Sequence, residues 1–206
     1  MDNTLNHKEA IFGTQISGAE SAYINLYEGH EIDEKSVIKE LTHIAQIEGY
    51  KKATIILLGN AIHGDNLVKD SLVHPIVFCA RHYIELSLKS TLRLHRISLG
   101  EINPNQLGFE SCHELNKLWG KLKFYLPQHE NYEQLESLIH SFHVLDEKSF
   151  TFRYPYKSGK KFHDKLTFNI DNTTSVDFDH FRQVFQFVFN ILDSVNDRAF
   201  VLNDEI

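Results

Sequence analysis

Residues 74–96 constrain the fold of this chain more than any other stretch. Ile76, Val77, Phe78, Ala80, Tyr83, Ile84, Leu86, Leu88 and Leu92 cover most sides of a helix there. Pro75 suits its first turn, where a missing N–H is not needed. A helix with so little polar surface is predicted to be central and buried.

The flanking segments read as its cover. Residues 18–28 and 34–48 have helical periodicity. In the second, Val37, Ile38, Leu41, Ile44, Ala45 and Ile47 recur mostly at three- and four-residue steps, and Gly49 is placed to end the helix. The apolar stretch Ala53–Ile62, interrupted by Gly59, is helical or extended, and residues 65–70 are polar and read as a loop. Ser111-Cys112-His113-Glu114 has the S-x-x-E spacing of a capping box. The helix it opens runs through Leu115, Leu118, Trp119 and Leu122 to about Tyr125, with Pro127 at the exit. Residues 130–146 repeat the helical signal with Tyr132, Leu135, Leu138, Ile139, Phe142 and Leu145. The period then drops to two: Phe150, Phe152 and Tyr154 alternate, as do Leu166, Phe168 and Ile170, with Ser158-Gly159 between them. That pattern predicts a β-hairpin with a long basic loop. Residues 177–200 close the chain as a Phe-rich helix. The expected fold class is mostly α: an antiparallel helical bundle with one β-hairpin before the C-terminal helix.

With 206 residues, 42% of them hydrophobic, and no repeat or linker, the chain is expected to form a single domain over 1–206. Its N-terminal part, about residues 1–60, reads as an acidic helical extension. Net charge is −7, which argues against a surface coated for nucleic acid, but the charge is uneven. Residues 148–165 carry six bases (Lys148, Arg153, Lys157, Lys160, Lys161, Lys165) against Asp164, a local basic element in an acidic chain.

Polar residues interrupt the central helix in a regular way. Arg81, Glu85 and Lys89 fall at i, i+4 and i+8 and line one slowly turning face. Charges among apolar neighbours cost several kcal/mol unless paired, so this ladder needs either a structural partner or a cleft. His113, near a helix start, is either an acid or base near neutral pH or a loop hydrogen-bonder. Arg153 lies among aromatics on the basic element, which suits phosphate and stacked bases as well as an ordinary solvated loop.

Other chemistries lack their signatures. There is no P-loop, GxGxxG, GxSxG or HExxH pattern. Cys79 and Cys112 form no CxxC pair and read as buried free thiols of a reducing cytosol. His140 and His143 are spaced as a helical ligand pair but lack a clear third ligand, so no metal or other cofactor is expected. No signal peptide pattern and no apolar run of about 18 residues occurs, which predicts a cytoplasmic chain without a membrane span.

Taken together, His74-Pro75, Arg81-His82-x-x-Glu85-Leu86-x-Leu88-Lys89, His113-Glu114-Leu115-x-x-Leu118-Trp119 and Asp146-x-x-Ser149-x-x-Phe152-Arg153-Tyr154-Pro155 resemble bacterial HEPN-like proteins over about residues 70–200. That family's helical bundles occur in ribonucleases, toxins and phage-defence systems, and they commonly pair into homodimers. HEPN ribonucleases typically place a histidine after four to six residues beyond an arginine. None of Arg81, Arg93, Arg96, Arg153, Arg182 or Arg198 has one, so that motif is not carried over. The resemblance implies an RNA-directed protein of a defence or toxin system, binding RNA or cleaving it as a metal-independent endoribonuclease with a divergent site. Arg81 and Lys89 would then hold phosphate, Glu85 would fix their geometry and His113 would be the base. Arg153, Lys157, Lys160 and Lys161 would contact the nucleic acid. The alternative is a non-catalytic subunit that binds a protein partner, with the ladder a buried structural network.

Overall fold

A computed structural model describes residues 35–103, 110–147, 149–154 and 175–204. Its described residues contain five helices and no strand: α1 (Lys35–His63), α2 (Asn66–Ser98), α3 (Leu115–Lys123), α4 (Tyr132–Leu145) and α5 (Phe178–Asp204). The chain divides into two compact units, residues 1–42 and 43–206. Everything described below belongs to the second. The expected helix over 18–28 lies outside the described residues.

α2 is the central helix, packed on α3 and α5, and α4 completes the bundle by packing on both of those. Ile84, Leu88 and Leu92 of α2 meet Leu115, Leu118 and Trp119 of α3, Leu135 and Ile139 of α4, and Phe185, Val188 and Leu192 of α5 in one continuous core. Each such side chain contributes roughly 1.5–3 kcal/mol on burial. α1 joins through Ile47 and through a second small cluster in which Leu58 and Ala61 pack on Ile76. No helix among the described residues is long and apolar enough to cross a membrane.

Several boundaries differ from the sequence reading. α1 runs straight through Gly49 and Gly59. Both glycines are exposed, so neither the missing side chain nor the open flank forces a stop there. α2 begins at Asn66 rather than near Pro75, because the Asp65 side chain caps it by accepting from the Val68 N–H at 2.9 Å. The polar residues 65–70 are therefore the cap and exposed first turn of the helix, not a loop. Pro75 lies inside α2 on the solvent side, where the carbonyl it cannot bond stays open to water. The capping box does not form: Glu114 is the N-cap of α3 and makes no side-chain cap bond.

The hairpin is the larger correction. Residues 151–153 form a turn, not the start of a strand. Asp146 Oδ1 accepts the N–H groups of Phe150 (2.6 Å) and Thr151 (2.9 Å), and the Arg153 N–H donates to the Phe150 carbonyl. The donors that a strand would offer a neighbour are already used. The expected second strand, Leu166 to Ile170, and the loop carrying Lys157, Lys160 and Lys161 lie outside the described residues.

Phe187 and Phe189 put apolar surface on α5 beyond the stripe of Phe185, Val188 and Leu192, and part of it is satisfied within the chain. Phe187 and Phe189 both pack against the core. Phe189 also meets Phe185 edge-on at 5.6 Å and carries the Lys51 ammonium 4.8 Å above its ring.

Candidate functional site

Helical spacing sets Arg81, Glu85 and Lys89 on one face of α2, and the structure brings all three into a single ionic network. Arg81 Nη1 donates to Glu85 Oε2 at 2.8 Å, and Lys89 Nζ donates to Glu85 Oε1 at 2.9 Å. The network then leaves the helix. Arg81 Nη2 donates to the His113 carbonyl at 2.8 Å, and Arg81 Nε to the Asp146 carbonyl at 2.9 Å. The Asp146 carboxylate stands 3.6 Å from the same Nε. One guanidinium thus ties the segment before α3 and the turn after α4 to the central helix.

The ladder is dry. Arg81 and Glu85 are each 1% exposed and Lys89 is 8% exposed. Clefts of about 440, 860 and 200 Å³ lie along the bundle, and none is lined by these three residues or by His113. Burial pushes the Glu85 carboxyl upward, but hydrogen bonds from Lys89, Arg81 and His113 outweigh it and hold its pKa below the ordinary carboxylate value. Glu85 is therefore ionised, with two cations and an imidazole around it.

His113 is the member that reaches water. Its side chain is 60% exposed while Nδ1 sits 2.7 Å from Glu85 Oε1. A carboxylate on Nδ1 fixes the tautomer and leaves Nε2 for a partner on the solvent side. Arg153 is exposed, donates through Nε to the Ser149 carbonyl, and places its guanidinium 6.0 Å from the centre of the Phe78 ring. Phe78 stacks on His82 (5.6 Å, 10° between planes), and Tyr50 meets His82 edge-on at 4.4 Å. Burial lowers the His82 pKa; Glu85 opposes that shift, and Arg81, Arg153 and Lys89 add to it. His82 thus lies within electrostatic reach of the whole ladder and of Arg153.

Two contributors were not assigned a role from sequence. Asp146, 1% exposed, caps the turn and pairs with Arg81. The only local signal for it was an Asp directly after the last residue of a helical pattern, where a short carboxylate can accept backbone N–H groups of the following turn. Asp193 of α5 is the other: it accepts from Tyr83 Oη at 2.8 Å and pairs with Lys51 of α1. Burial, followed by the Asp193 charge and hydrogen bond, raises the Tyr83 pKa and keeps its hydroxyl neutral. Cys79 and Cys112 are free and partly buried.

Compared with protein-family models, curated proteins and solved structures, the chain matches none.

Proposed function

We propose that this chain is a binding subunit of a bacterial defence or toxin system, an antiparallel HEPN-like bundle that engages a protein partner and in which the Arg81–Glu85–Lys89 ladder is architectural. The closure of the ladder supports this reading. Arg81 spends its donors on Glu85 and on the carbonyls of His113 and Asp146, and at 1% exposure it has no face for a phosphate. A buried, hydrogen-bonded ionic network adds little net stability but disfavours other packings, because breaking it strands a charge.

A second reading rests on His113. With Nδ1 held by buried Glu85 and the ring in solvent, His113 has the arrangement of a general base able to take a proton from a ribose 2′-hydroxyl. Arg153, with Lys157, Lys160 and Lys161, would hold the phosphates. Arg81 would then position His113 without touching RNA.

One pair of assays separates the readings: a salt titration of binding to mixed single-stranded RNA, beside a gel assay for cleavage in chelator. The binding-subunit reading expects no cleavage, with Arg81→Ala lowering Tm and His113→Ala lowering it less, since Lys89 still donates to Glu85 Oε1. Chelator-resistant cleavage that disappears in His113→Ala would overturn it. The second reading expects RNA binding that weakens when Lys157, Lys160 and Lys161 are neutralised. Its log–log salt slope should then fall by about 0.7 for each phosphate that a lysine no longer neutralises.

A further inference from the structure

Three metal-ligating side chains that the ladder does not use meet beside it. Glu114, His143 and Glu147 each place a donor atom within 4.8 Å of the other two. They come from two segments: Glu114 is the N-cap of α3, while His143 lies in the last turn of α4 and Glu147 in the turn directly beyond it. Arg81 sets both segments. The carbonyls it bonds belong to His113 and Asp146, and the next residue after each is one of the two glutamates. A single buried guanidinium therefore fixes the spacing of both carboxylate-bearing backbones.

His143 supplies an independent observation. Its Nδ1 is enclosed and has no hydrogen-bond partner among the described residues. An enclosed imidazole nitrogen without a partner is unfavourable, and of the histidines that carry one, His143 is the one with two carboxylates within 4.8 Å. We propose that Glu114, His143 and Glu147 form a binding site for one divalent transition-metal ion, with Zn²⁺ the best match.

The donor set selects the ion. One imidazole and two carboxylates suit zinc, whereas magnesium and calcium prefer oxygen alone. Two carboxylates and a neutral imidazole carry two negative charges, which a divalent ion cancels. One cation beside the site is the Lys117 ammonium, 2.6 Å from Glu114 Oε1 and 62% exposed. An exposed pair of that kind is weak in water, so an incoming ion displaces it readily. Ligands at 2.0–2.2 Å on a tetrahedral ion lie roughly 3.4 Å apart. Closing from 4.8 Å takes side-chain rotations, which exposed Glu147 and partly buried Glu114 can make. Three protein donors leave a fourth position for water.

The rival is the helical pair His140 and His143. His140 is exposed and its Nδ1 faces Asn116 Nδ2 at 3.0 Å. The test is calorimetric titration of ZnCl₂ into the full metal-free chain. The wild type is expected to show a site saturating at one ion per chain above the diffuse binding of its 13 histidines. His143→Ala and Glu147→Gln should each weaken that site at least tenfold, and His140→Ala should leave it unchanged. Glu147 is exposed, so its variant folds even if His143→Ala does not. Excess Mg²⁺ should fail to compete. The absence of a saturable site, an unaltered isotherm in Glu147→Gln, loss of the site in His140→Ala, or displacement by Mg²⁺ would each overturn the proposal.

Discussion

At the scale of single residues, Arg81 and Glu85 are the hinge of the molecule. Glu85→Gln leaves two cations beside apolar surface with a neutral acceptor. It should lower stability by roughly 2–4 kcal/mol, as expected for breaking a buried charge pair, and a melt indistinguishable from wild type would refute that. Arg81→Lys should be nearly as damaging. An ammonium cannot reproduce the planar fork that reaches Glu85 and the carbonyls of His113 and Asp146 together. The pH dependence follows from the sign of the shift. The folded Glu85 carboxyl titrates below its ordinary value of 4.5, so its contribution is fully present above that pH and is lost as pH falls through the folded value. Denaturant melts below pH 4.5 should lose stability more steeply in the wild type than in Glu85→Gln.

At the scale of elements, two aspartates decide where helices and turns begin. Asp65 starts α2 well before the apolar run does, and Asp65→Ala should lower stability by about 1 kcal/mol, the usual effect of losing an N-cap. Asp146 folds the segment after α4 into a turn, with Ser149 at a φ of 58°. A non-glycine residue in the left-handed region is strained by about 1–2 kcal/mol, and the Asp146 bonds to Phe150 and Thr151 are what hold it. Asp146→Ala should release the turn, which limited proteolysis would register as faster cleavage near residues 149–154 at temperatures where the bundle stays folded. Unchanged cleavage there would mean that the turn is held by other contacts.

At the scale of the whole molecule, partly and fully buried histidines make the bundle sensitive to acid before its carboxylates titrate. Burial lowers the His43 pKa from 6.5 to about 4, opposed by a backbone hydrogen bond at Leu86 and aided by Lys89, and burial also lowers those of His82 and His95. The unfolded chain therefore binds more protons in this window, so stability falls as pH drops from about 6.5 toward 4. For His43 alone the full depression corresponds to about 3 kcal/mol at about 1.4 kcal/mol per tenfold change. His43→Gln should flatten the unfolding free energy between pH 6.5 and 5; an equally steep profile in the variant would assign the effect elsewhere. Assembly also belongs to this scale. Because Phe187 and Phe189 pack against the chain's own core, the apolar excess of α5 is smaller than its sequence implies. A homodimer at micromolar concentration is still the expectation from the HEPN-like reading, and sedimentation at 23.9 kDa would remove it.

Local periodicity carried the sequence a long way at the helical level. The 3.6-residue recurrence marks α4 and α5 to within a few residues, and the all-round apolar surface of residues 76–92 identifies the central helix, because both depend on local geometry and burial. The i, i+4, i+8 spacing likewise places Arg81, Glu85 and Lys89 on one face without further information. Tertiary structure decided what that face does. Whether Arg81 meets water or the carbonyls of His113 and Asp146 depends on segments 32 and 65 residues away, and no local pattern encodes such a pairing. The same holds for the turn at residues 151–153: Phe150, Phe152 and Tyr154 alternate as a strand would, but a strand needs partners for its N–H groups, and Asp146 had already taken two of them. Periodicity reports which faces of a segment are apolar, while hydrogen-bond partners are assigned only when distant parts of the chain come together.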